Sequence, residues 1–153
     1  MKFTFQTPTR LIFGSGRLDA LGDEKLPGNK ALLLTSRGKS AERTGALERT
    51  MKALERAGAE YVYCPMVESN PVVDNVMKAA LAAREAECDF VVALGGGSVM
   101  DCGKAVAMVA TNPGDFWDYV PQGTGGRKPI EIAPLPIVAI STTAGTGSEV
   151  DGG

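Results

Sequence analysis

The chain has 153 residues, 44% hydrophobic and 22% charged, with 19 glycines, 9 prolines and a formal net charge of -2. That is enough chain for one domain with a buried core, with too many turn formers for a helix bundle. The charge leaves no basic footprint for nucleic acid or an anionic membrane, and no apolar run approaches the roughly eighteen residues of a membrane span.

The opening Met1-Lys2-Phe3-Thr4-Phe5 lacks the basic and apolar regions of a secretory leader, so a cytoplasmic location is expected. Residues 2–6 and 10–13 read as two short strands forming an N-terminal β-hairpin. From Lys30 onward, strands alternate with helices. Ala31-Leu32-Leu33-Leu34-Thr35 is a short apolar run closed by Ser36-Arg37-Gly38, after which Leu47, Met51 and Leu54 share one helical face until Gly58 stops it. Tyr61-Val62-Tyr63 reads as a second strand. Asn70-Pro71 then suits the start of a helix whose expected buried face is Val73, Val76, Met77, Ala80 and Leu81. Phe90-Val91-Val92-Ala93-Leu94 is apolar on both faces, as a strand covered by helices above and below must be, and runs directly into Gly95-Gly96-Gly97 and a further helix. Residues 112–136 hold five prolines and four glycines around Trp117 and Tyr119, and read as a long irregular loop: a packed surface excursion, or alternatively a lid. A fourth strand follows at residues 137–140.

Strands and helices alternating through such short connections require right-handed parallel crossovers, so the expected fold is α/β, a doubly wound parallel sheet of Rossmann-like type. Ligands of such sheets bind beyond the carboxyl ends of the strands. Residues 36–40, 95–101 and 141–148 are therefore the expected functional edge.

The sequence contains no histidine, so the commonest metal ligand and the commonest general acid or base are both missing. Cys64, Cys88 and Cys102 are odd in number and widely spaced, which disfavours a disulfide framework or a zinc site and leaves them as buried small hydrophobes.

Gly95-Gly96-Gly97-Ser98 sits between a buried strand and a helix N-terminus, where backbone N–H groups and the positive end of the helix dipole favour an anion. Glycine lets a phosphate approach that backbone closely. The competing reading is a plain turn in which Ser98 caps the helix and Asp101 completes a capping box. Neither standard phosphate fingerprint is present, since Met100 stands where G-x-G-x-x-G needs glycine. Thr142-Thr143-Ala144-Gly145-Thr146-Gly147-Ser148-Glu149 offers hydroxyls and amides at the end of the last strand, either to a ligand or to solvent. Two such loops on one edge suit an extended ligand, a dinucleotide.

These two stretches, the first extended through Val99-Met100-Asp101-Cys102-Gly103-Lys104, together resemble the paired signature of the iron-type (group III) alcohol dehydrogenases. Pro8-Thr9-Arg10-Leu11-Ile12-Phe13-Gly14-Ser15-Gly16 and Asn70-Pro71 match as well, so the resemblance covers essentially the whole chain. It implies a dehydroquinate synthase-like N-terminal domain in which Gly95, Gly96, Gly97 and Ser98 bind the pyrophosphate of NAD(P). Asn70, Asp101, Thr142, Thr143 and Thr146 would line the cofactor, with Asp101 near the nicotinamide. Two bland alternatives stand beside this: Asn70 caps its helix, and Asp101 pairs with Lys104 one turn on.

Beyond the first strand, Ser36, Gly38, Lys39 and Ser40, with Arg37 among them, supply no carboxylate to bind a ribose 2'-hydroxyl or repel a 2'-phosphate. The lean is towards NADP, with NAD as the alternative. In the family, an aspartate and three histidines of a following helical domain bind Fe2+ or Zn2+, which polarises the alcohol oxygen. The resemblance therefore implies that residues 1–153 are the nucleotide-binding part of a dehydrogenase acting on a small alcohol or aldehyde. No metal site, no catalytic residue and no activity are expected from these residues alone. A homodimer is expected, through the strand containing Phe3 or an uncovered apolar face. The alternatives are a free-standing nucleotide-binding module and, less well matched at residues 142–149, the dehydroquinate synthase and glycerol-1-phosphate dehydrogenase branch of the superfamily.

Overall fold

The computed structural model describes residues 8–68 and 73–150. Four parallel strands form one sheet in the order β2-β1-β3-β4, with β1 at Lys30–Ser36, β2 at Glu60–Val67, β3 at Phe90–Gly95 and β4 at Ile137–Ser141. β3 is buried along its whole length, and β1 at every residue but its two ends. Each face of these two central strands feeds a separate core, which is why their sequences are apolar without alternation. Ala31, Leu33, Phe90, Val92 and Leu94 pack under α1 (Ser40–Arg43) and α2 (Ala46–Arg56). Leu32, Leu34, Val91 and Ala93 pack under α3 (Val73–Glu85) and α4 (Gly97–Thr111). The expected doubly wound α/β sheet is the observed one.

α4 lies close on β3 because Gly103 has no side chain: a Cβ there would stand 3.0 Å from Ala93 Cβ. α3 buries Val76, Ala79, Ala80 and Ala83, an i, i+3, i+4, i+7 stripe, whereas Leu81 is 52% exposed and lies outside the face expected for it. Arg84 of α3 reaches across to the carbonyls of Val109, Ala110 and Asn112, satisfying acceptors that the last turn of α4 leaves open.

β2 runs well beyond the expected Tyr61-Val62-Tyr63, through Cys64 and Pro65 to Val67. Proline is tolerated because β2 is an edge strand among the described residues, where an absent N–H on the outer side costs no ladder bond. Residues 10–13 have no strand geometry. A strand needs a partner for its backbone groups, and the expected one, residues 2–6, lies outside the described residues. Instead Arg10 makes a two-pronged ion pair with Glu24, at 2.7 and 3.1 Å.

Residues 112–136 form a packed excursion containing the short helix α5 (Phe116–Tyr119), started by a capping box between Asp115 and Asp118. The segment leaves the C-terminus of α4 and packs on α3, where the Phe116 N–H donates to Met77 Sδ at 3.4 Å. The three cysteines are free and buried, and burial pushes the thiols of Cys64 and Cys102 up to about 11, which leaves them protonated and inert at neutral pH.

Candidate functional site

β1 continues through α2 to β2 on one side, whereas β3 returns to lie on the other side of β1. The chain therefore diverges at the carboxyl ends of β1 and β3, which is where open α/β sheets form a crevice. A cleft of about 550 Å³ lies there. Ser36, Gly38 and Ser40 line it from the end of β1, Gly95, Gly96, Gly97 and Ser98 from the turn after β3, and Thr142 and Thr143 from the end of β4. These residues, distant in sequence, meet because every strand of the sheet points the same way.

The turn after β3 does not follow the competing reading, in which Ser98 caps the helix. The N-cap of α4 is Gly96, with no side-chain cap, and Ser98 lies inside the first turn, so the Ser98–Asp101 capping box does not form. Gly96 has φ -88° and ψ -170°, an extended conformation open to any residue. Space, rather than conformational freedom, calls for glycine here. A Cβ on Gly95 would lie 2.5 Å from Val99 Cγ2, one on Gly96 3.0 Å from Thr143 Oγ1, and one on Gly97 3.1 Å from Ser148 Oγ and 3.2 Å from Thr146 Cβ. The three glycines therefore make room for protein neighbours as well as for any ligand, and the second loop packs directly on the first. Gly145 and Gly147, at φ 92° and 74°, do require glycine for their left-handed backbone.

Thr142 N–H donates to Gly95 O at 2.9 Å, continuing the β3–β4 ladder one step past the strand, and Ser141 Oγ donates to Thr143 O at 2.7 Å. Thr146 does not line the cleft. It packs over Gly97, with its hydroxyl 3.4 Å from Glu149 Oε2. Lys39, at the N-cap position of α1, also stands outside the lining. Asp101 is not among the residues lining the cleft, and its Oδ1 is 3.4 Å from Lys104 Nζ, the ion pair one helical turn on. Asn70 lies outside the described residues.

Two cleft residues had no place in the sequence expectation: Val67 and Glu68, at the end of β2. Glu68 Oε1 is 2.6 Å from Arg37 Nη1. The signal that would have found it is the true length of β2, hidden by Pro65. Among the described residues no group of three or more histidine, cysteine, aspartate or glutamate side chains could hold a metal, and no helix is long and apolar enough to cross a membrane.

A doubly wound parallel sheet with an uncapped glycine-rich helix start opening into the crevice defines a nucleotide-binding class of domain. Residues 8–153 match the family model of iron-containing alcohol dehydrogenase, and the chain belongs to that family. It is 40% identical over 151 residues to a probable NADH-dependent butanol dehydrogenase of Bacillus subtilis (strain 168), which covers 99% of this chain and 38% of that one. It is 35% identical over 151 residues to an NADPH-dependent aldehyde reductase of Escherichia coli (strain K12), again over 99% of this chain and 38% of the other. The crystal structure of an NADH-dependent butanol dehydrogenase A from Thermotoga maritima superposes with a TM-score of 0.90 at 35% identity, covering 99% of this chain and 37% of that one. The chain thus spans well under half the length of these relatives, and they include both NADH- and NADPH-dependent proteins.

Proposed function

We propose that residues 1–153 form the dinucleotide-binding part of an NAD(P)-dependent, cytoplasmic alcohol dehydrogenase or aldehyde reductase, which transfers hydride between the cofactor and a small alcohol or aldehyde. The observation that supports this best is the meeting of Ser36, Gly38, Gly95, Gly96, Gly97, Ser98, Thr142 and Thr143 around one cleft at the start of α4. In this reading the amides and dipole of the first turn of α4 hold the pyrophosphate. Ser36, Gly38 and Ser40 take the adenosine ribose, and Lys39 adds charge from outside the lining. Thr142 and Thr143 hydrogen-bond from the opposite wall, while Thr146 supports that wall through its packing on Gly97. Asn70 and Asp101 complete the set on the strength of the family motif, with Asp101 towards the nicotinamide.

NADP is the proposed cofactor and NAD the second choice, because the loop after β1 carries positive rather than negative side chains. When bound, the nicotinamide would carry the hydride, and the metal that names the family would polarise the substrate oxygen. The sequence has no histidine, and the proposed metal ligands and catalytic residues are those that the family resemblance assigns to polypeptide outside residues 1–153. Homodimer formation is also proposed, on the strength of the exposed Ile130, Ile132 and Ile137 and the open edge of β4.

Calorimetric titration of the chain with NADPH and NADH tests the nucleotide reading. Saturable one-to-one binding is expected, tighter for NADPH. Heats of dilution alone with both nucleotides would overturn it.

A further inference from the structure

We propose that Glu68 is a specificity-determining residue that limits how strongly this cleft prefers a 2'-phosphorylated dinucleotide. The inference rests on the nucleotide reading above and starts from the end of the β1–β2 ladder. Thr35 pairs with Pro65 but Ser36 pairs with Val67, so β2 carries one extra residue, Met66, at the rim of the cleft. A bulge of this kind re-aims the chain that follows it. Arg37 N–H donates to Val67 O at 2.9 Å, which ties the two strand ends together past the bulge. The result is that Glu68 stands beside Arg37, with Oε1 and Nη1 2.6 Å apart and both residues lining the cleft.

Arg37 is the cation nearest in sequence to the ribose-side residues Ser36 and Gly38, and a guanidinium suits a phosphate dianion. Here its charge is already matched by a carboxylate. A 2'-phosphate entering this corner meets a neutral pair rather than a free cation, and must draw Arg37 away from Glu68 while lying close to the carboxylate. A ribose 2'-hydroxyl meets neither cost. The pair contributes little to fold stability, since the two side chains are 68% and 44% exposed. Its position at the cleft is what gives it consequence.

The test is Glu68→Gln, titrated with NADPH, NADH, adenosine 2',5'-bisphosphate and 5'-AMP at low and high salt. The ratio of NADPH to NADH affinity should rise on the order of tenfold, as expected for removing one negative charge several ångströms from a phosphate. The bisphosphate should gain over 5'-AMP by a similar factor, and both gains should shrink at high salt. Glu68→Asp, which keeps the charge, should stay near wild type. Arg37→Ala placed on Glu68→Gln should cancel most of the gain, because the two residues act as a unit. Wild-type binding with a ratio unmoved by Glu68→Gln overturns this inference and leaves the nucleotide reading intact. Failure of the wild type to bind any of the four ligands overturns both.

Discussion

The two edges of the sheet use similar materials to opposite ends. At the amino edge, Gly28 leaves room for the Asp89 carboxylate, which a Cβ would approach to 2.3 Å, and that carboxylate accepts hydrogen bonds from the backbone N–H groups of Asn29 and Lys30. At the end of α4 Asn112, 1% exposed, accepts from the Glu131 and Ile132 amides and donates to the Met108 and Ile132 carbonyls. Arg84 closes the end of α4. At the carboxyl edge, glycines again clear space, but α4 begins with no side-chain cap and the strand ends part around a cleft. A protein that satisfies one edge with its own side chains and leaves the other open has assigned them different work: the first holds the fold, the second is available to a ligand.

This contrast can be broken most sharply at Asn112. Replacing it with alanine leaves the Glu131 and Ile132 amides and the Met108 and Ile132 carbonyls without this partner, with an expected loss of about 3 kcal/mol and a fall in Tm of roughly 10 °C. Nucleotide affinity of the folded fraction should not change. If affinity falls in step with stability, the two edges are not independent. Gly38→Trp makes the complementary cut. Among the described residues the only neighbour a Cβ would meet there is Ser36 Oγ at 3.7 Å, so a large side chain grows into the open space of the cleft rather than into the core. Nucleotide affinity should fall on the order of a hundredfold, about 2.7 kcal/mol, with Tm unchanged. Gly97→Val would be a poorer probe, because its side chain also collides with Thr146 and Ser148.

Much of the carboxyl edge was legible in the sequence because its signals are local. An apolar strand without alternation, a glycine run and a helix must place that run at a strand end, and the parallel sheet then gathers such ends together. What was not legible depended on packing between segments. Nothing near Gly96 or Gly97 indicates that Thr143, Thr146 and Ser148 will press on them. Pro65 made β2 look shorter than it is, and that concealed Glu68. Leu81 fitted a helical face by spacing, yet the small side chains of Ala79, Ala80 and Ala83 are what let α3 sit close to the sheet, and this rotates Leu81 outward. Asn112 read as one more polar loop residue until its five neighbouring backbone and hydroxyl groups had positions.

The smallest expected effect is at Asp89, and its pH dependence makes it measurable. Burial alone would raise the pKa of this carboxyl, but the hydrogen bonds from the Asn29 and Lys30 backbone outweigh burial and hold it below the ordinary aspartate value. A group whose pKa is lower folded than unfolded stabilises the fold fully above its unfolded pKa, about 3.9, and loses that contribution as pH falls through the folded value. Asp89→Asn should therefore cost about 1 kcal/mol at neutral pH in urea titrations, with the gap to wild type closing below about pH 4. Other carboxyls are also held low, Asp19 by its hydrogen bond with Arg49 and Glu48 by its hydrogen bond with Lys52, so the acid limb of wild type alone is composite. Those groups are common to both proteins and cancel in the difference. A gap that stayed constant down to pH 2 would mean that the amino edge is held by the shape of this contact rather than by its charge. The contrast between an electrostatically closed edge and an open one would then rest on Asn112 and Arg84 alone.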